Sequence, residues 1–157
     1  MRSTLGSALV IACITACGAM LVADHAIAQG TPRTRVAIAD LGVSKGREAA
    51  TGALRTAIAH ELATSVSVTD VNRARWIVHG AITRLESSRR GADTEAHCEV
   101  SLIVADARGG AMRATLVGRA HARGRSSARV LERQAMQGAV RGALRSITNV
   151  LGSLRSR

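Results

Sequence analysis

Phenylalanine and tyrosine are absent from the 157 residues, and Trp76 is the single aromatic side chain. An aromatic platform for stacked bases is thereby excluded, and a sugar-binding cleft, which relies on stacked rings, is disfavoured. Proline occurs once, at Pro32, and lysine once, at Lys45. Acidic residues are scarce too: 11 Asp and Glu stand against 22 Lys and Arg, a net charge of +11. Three cysteines occur, of which only Cys98 lies outside the first 28 residues. One thiol cannot build an internal disulfide framework. What is present is aliphatic. The apolar fraction of 46% is too high for a disordered polyelectrolyte, and Ala, Val, Leu and Ile must fill the core. The length fits one domain.

The first segment reads as an address. Met1-Arg2-Ser3-Thr4 precedes an apolar run of about 19 residues, Leu5 to Ala23, and a small-x-small exit at Ala26-Ile27-Ala28. A basic start, an apolar stretch and such an exit predict a secretory signal peptide over residues 1–28. The run is borderline for a membrane span and rich in Ala, Gly, Ser and Thr. Ile14-Thr15-Ala16-Cys17 fits the pattern at which bacterial lipoproteins are cut and acylated, which makes Cys17 a competing lipidation site. Residues 29–34 form a short tether, and 35–155 a single domain.

Within that domain, Arg35 to Leu41 alternates and predicts a first strand. A helix is expected from about Arg47 to Thr64, with Leu54, Ala57, Ile58, Glu61 and Leu62 at helical spacing. Ser65 to Thr69 reads as a short strand. Trp76 to Leu85 is a strand apolar on both faces, which suggests the centre of a sheet. Ser87 to Thr94 reads as a hairpin loop. In the next strand, His97 to Ala105, Cys98, Val100, Leu102 and Val104 point inward. Asp106 to Gly110 turns the chain, with Gly109 and Gly110 supplying a positive backbone angle. A fifth strand puts Met112, Ala114, Leu116, Gly118 and Ala120 on one face and Arg113, Val117, Arg119, His121 and Arg123 on the other. A final helix is expected from about Ser127 to Leu154, with Met136, Val140, Ala143, Ile147, Val150 and Leu154 as its apolar seam. Gly138 and Gly142, one turn apart, flatten a patch for close packing on the sheet. The order β-α-β-β-β-β-α predicts an α+β two-layer sandwich, a mixed sheet of about five strands with two helices on one face.

Reactive constellations are few. His97 and Cys98 are adjacent on a strand and point to opposite faces, so they form no thiol–imidazole pair. Cys98 is expected to be a buried, inert thiol. His60, His79 and the other histidines lack the spacings that close a metal site. His97 and His121 come near each other only if the register of the last hairpin brings them opposite. Gly42-Val43-Ser44-Lys45-Gly46 has the wrong order for a phosphate loop, and no nucleophile elbow occurs. The expectation is no catalytic group, no cofactor and no metal.

From Arg119 onward there are nine arginines against Glu132 alone. The candidate contacts to an anionic partner are Arg113, Arg119, His121 and Arg123 on the fifth strand and Arg133, Arg141 and Arg145 on the last helix.

Val68-Thr69-Asp70, followed by Ala74-Arg75-Trp76-Ile77-Val78-His79-Gly80-Ala81-Ile82-Thr83-Arg84-Leu85, sets a short strand and polar turn before Ala-x-aromatic-apolar-apolar-x-Gly-x-Ile. An alternating strand closing on Asp106 and a glycine turn follow, then an Ala-rich helix. This pattern, over roughly Arg35 to Leu151, resembles the periplasmic domain shared by curli-assembly lipoproteins, activators of penicillin-binding proteins and the amino-terminal domain of the TolB translocation protein. The resemblance implies a non-enzymatic, exported docking or assembly domain in the periplasm or at the outer membrane. Elements for a secretion pore are missing. The expected partner is another envelope protein, with an anionic polymer or membrane surface as the alternative; nucleic acid is not expected.

Overall fold

The computed structural model describes residues 34–42 and 48–155. The expected signal peptide, Cys17, most of the tether and the turn around Lys45 lie outside these residues. Among the described residues, five strands and three α-helices follow in the order β1 (Arg35–Gly42), α1 (Glu48–Ala63), β2 (Ser67–Val68), β3 (Trp76–Arg90), β4 (Asp93–Asp106), β5 (Met112–Gly124), α2 (Ala128–Leu144) and α3 (Ile147–Arg155). The sheet order is β2-β1-β3-β4-β5. β1 runs parallel to β2 and β3, while β3, β4 and β5 form an antiparallel meander. The sheet is therefore mixed, and β3, whose first half is apolar on both faces, is its middle strand. The fold is an α+β two-layer sandwich.

Period-two patterning decides which sheet face is covered. Ala96, Cys98, Val100, Leu102 and Val104 of β4 are all buried, and they join Leu54, Ile58 and Leu62 of α1 and Leu131, Ala135, Met136, Ala139 and Val140 of α2 in one aliphatic core. Such residues carry most of the folding drive, roughly 1.5–3 kcal/mol for each fully buried Val, Leu, Ile or Met. Trp76 opens β3 inside this core, 3% exposed. Its indole Nε1–H has no hydrogen-bond partner among the described residues, and the Arg75 guanidinium sits 5.5 Å from the ring centroid.

Two glycines set the distance between the layers. A Cβ on Gly80 would lie 3.0 Å from Leu41, and 3.1 Å from Ile58 of α1 and Leu102 of β4. A Cβ on Gly118 of β5 would fall on the Ala139 carbonyl oxygen of α2 and lie 2.7 Å from the Ala143 amide nitrogen. Helix backbone thus rests directly on strand backbone, a contact only glycine permits.

The structure departs from the sequence reading at several points. The segment expected as a hairpin loop, Ser87 to Thr94, is mostly strand: β3 and β4 stay paired to Arg90 and Asp93, and Gly91, at φ +64°, helps turn the chain within two residues. Both faces of that extension are wet, so its polar residues carried no strand signal. β2 is only two residues long, and a 3-10 turn at Val71–Arg73 follows it. Of the paired glycines after β4, Gly110 alone takes a positive φ. The single long C-terminal helix is broken at Arg145-Ser146 into α2 and α3. Serine competes for backbone hydrogen bonds and weakens a helix interior. The Ser146 carbonyl restarts the ladder by accepting from the Val150 amide at 3.0 Å. Gly138 does pack closely, 2.9 Å from the Ala120 Cβ for an added Cβ, but Gly142 faces open space.

Candidate functional site: the open face of the sheet

Among the described residues the helices pack on one side of the sheet, and no secondary structure covers the other side of β3, β4 and β5. Its side chains stand in cross-strand rows set by the register: Arg84–Glu99–Arg119, Glu86–His97–His121 and Ser88–Glu95–Arg123 at one end, Ala81–Ser101–Val117 and His79–Ile103–Thr115 at the other. The first group is a charged ladder. Arg119 donates to both oxygens of Glu99, at 2.9 and 3.3 Å. Arg123 reaches Asp93 at 3.0 Å and Glu95 at 3.6 Å, and Arg90 also approaches Glu95. Arg84 donates to Glu86 at 2.7 Å, and this hydrogen bond holds its guanidinium still more firmly in the charged form. At the turn after β4, Asp106 accepts the Arg108 amide at 2.9 Å, and its carboxyl is lowered from the usual range by that bond first and by nearby Arg113 next. Five arginines are thus matched by five carboxylates. Individually such exposed pairs contribute little to stability, about 0–1 kcal/mol each. Collectively they leave this face nearly neutral.

The second group is apolar. Val117 is 53% exposed and Ile103 36%. They stand diagonally across the β4–β5 ladder, beside Ala81 and Ser101.

The seven basic residues singled out in the sequence do not form one patch. Arg113, Arg119, His121 and Arg123 lie on the open face, and the three arginines among them are ion-paired. Arg133 and Arg141 sit on α2 and Arg145 caps its C-terminal end, in the layer behind the sheet; Arg141 is tied to Glu61 of α1 at 3.1 Å. Between α1 and α2 lies a cleft of about 500 Å³ with Ala57 and Met136 among its lining residues and His60, Glu61, Arg133 and Arg141 as its charged and titratable ones. Sequence reasoning found the basic side chains and missed the ladder. The signal was there, as Glu95 and Glu99 alternate with His97 on β4, but without a register no partner could be assigned.

Cys98 is buried, and burial alone pushes its thiol up to about 11. It stays protonated near neutrality and has no nucleophilic character. His97 points to the opposite, exposed face, as strand geometry requires. Opposite His97 on β5 is His121, and the two rings stack with centroids 6.1 Å apart. Among the described residues no group of three or more His, Cys, Asp and Glu side chains is arranged to hold a metal ion. No helix among them is long and apolar enough to cross a membrane.

No family model matches the sequence, and no curated protein matches it. Solved structures of similar fold do exist. The PelC dodecamer from Paraburkholderia phytofirmans aligns with a TM-score of 0.54 at 17% identity, covering 71% of this chain and 89% of that one. A candidate lipoprotein from Caulobacter crescentus gives 0.52 at 18% identity, over 76% and 90% of the two chains. A Xanthomonas campestris protein of the DUF330 family gives 0.55 at 13% identity, over 80% and 92%. At these identities the likeness establishes that the chain shares a fold found in bacterial proteins of this kind, and nothing finer.

Proposed function

We propose that this chain is an exported, non-catalytic envelope protein that works as a protein-docking module through the open face of its sheet. The observation that carries the reading is the pair Ile103 and Val117, exposed on the side away from the helices and bordered by an ion-paired rim. An apolar centre with a satisfied polar border is how protein interfaces are composed. Similar structures that include a candidate lipoprotein and a dodecamer support an envelope setting, and they make self-association one form the docking can take. The charge arrangement favours protein over polyanion as the partner, because the arginines of this face are already engaged by carboxylates.

The test is a double substitution, Ile103→Asp with Val117→Asp, compared with wild type in retention from envelope extract and in oligomer mass, at low and high salt. Wild-type association should survive high salt, and the double variant should lose it while keeping its far-UV circular dichroism. Association that disappears in salt, or that persists in the double variant, overturns the reading.

A further inference from the structure

We propose that His97 and His121 together form a two-imidazole site for a first-row divalent transition ion, with Cu²⁺ the tightest occupant. The register makes the two residues direct cross-strand partners in the β4–β5 ladder, where side chains stand side by side. Their ring centroids lie 6.1 Å apart with an interplanar angle of 29°. A ligating nitrogen sits about 2.0–2.1 Å from the metal, which puts each ring centroid about 3.2 Å away. Two rings on one ion therefore span up to about 6.4 Å, and the observed separation falls within that reach. Binding then requires side-chain rotations that turn one nitrogen of each ring toward a shared point. Both strands are paired on either side of this row, so the donors are held on a rigid ladder.

The surroundings admit a dication despite the chain's net positive charge. Glu86 is the register partner of His97 on β3, Glu95 and Glu99 flank it on β4, and Arg119 and Arg123 flank His121 on β5. Each of those arginines is already held by a carboxylate, as is Arg84 beside Glu86. Both rings are exposed and border a depression of about 220 Å³ lined also by Arg84, Glu99 and Arg119. Imidazole nitrogens suit copper, nickel and zinc, and the affinity order of these ions puts copper first. Calcium and magnesium, which want oxygen donors, are poor fits. Two protein donors leave the remaining coordination positions to water.

The probe is Cu²⁺–nitrilotriacetate, titrated into the purified chain and followed by electron paramagnetic resonance. One copper per chain carrying two imidazole nitrogens is expected. His97→Gln or His121→Gln should each weaken binding at least tenfold, since loss of outer-shell partners alone costs about 10–100-fold. His79→Gln should leave it unchanged. Copper binding retained when His97→Gln and His121→Gln are combined, or a spectrum with one imidazole nitrogen, overturns the proposal. If a variant loses its fold, the wild-type histidine ring signals decide. Copper broadening concentrated on His97 and His121 supports the site, and broadening centred elsewhere refutes it.

Discussion

Replacing Gly118 by alanine adds one methyl group, and the structure assigns it no room. The new Cβ would overlap the Ala139 carbonyl oxygen and sit 2.7 Å from the Ala143 nitrogen and 2.9 Å from the Ala139 carbonyl carbon. Real side-chain carbons essentially never come within 3.0 Å of such atoms. All three obstacles are backbone, so no rotamer change relieves them. α2 must lift from β5, and the buried contacts of Leu131, Ala135, Ala139 and Val140 loosen with it. Overpacking a core costs about 1–3 kcal/mol where side chains can adjust. With backbone on both sides, the upper end, about 3 kcal/mol, is the floor here. At about 4 °C per kcal/mol for a domain of this size, the unfolding midpoint should fall by about 12 °C or more. Gly142→Ala is the matched control on the same helix. Nothing lies within 4 Å of its added Cβ, and an exposed helical glycine replaced by alanine gains about 0.5–1 kcal/mol. Its midpoint should rise by a few degrees. Thermal and denaturant unfolding, followed by Trp76 fluorescence and circular dichroism, reads both. A Gly118→Ala midpoint within a few degrees of wild type, or the same shift in both variants, would refute the direct helix-on-strand contact.

Two further outcomes follow from titratable groups. Cys98 should resist alkylation in the native protein at mildly alkaline pH and react at once on unfolding. Because its folded pKa lies above the unfolded value of 9.0, at about 11, its contribution to stability is complete below pH 9.0 and lost as pH rises toward 11. Denaturation curves of wild type and Cys98→Ser across that range check the sign. Asp106→Ala removes the carboxylate that accepts from the Arg108 amide and faces Arg113. The variant should be slightly less stable at neutral pH, and the difference should vanish as acid protonates the wild-type carboxyl. A difference that grows in acid would contradict the assignment.

The layers and most elements were legible because they rest on periodicity. The alternation of β4 and the two-sided apolar character of β3 each have a physical cause readable from one chain. The tip of the β3–β4 hairpin was not, because Ser87 to Arg90 lie where both faces meet water and hydrophobic alternation has nothing to report. The break at Ser146 was hidden for the opposite reason: the seam from Met136 to Leu154 continues in step across it. For the candidate site, residue types were visible but pairings were not. His97 and His121 are 24 positions apart, Glu99 and Arg119 are 20, and a shift of one residue would have sent one member of each pair to the other face. Gly118 read as one more small residue on an inward face; only the position of α2 shows that it sets the spacing of the layers.

The matched arginines and carboxylates of the ladder also give the molecule an electrical front and back. Its sheet side is balanced among the described residues, while Arg129 and Arg133 of α2 and Arg145 at its C-terminal end are exposed and have no ion-pair partner among those residues. An anionic surface within about a Debye length would therefore exert a torque on the protein, drawing the helices toward itself. The apolar pair on the sheet would then be turned outward, toward whatever approaches from the other side.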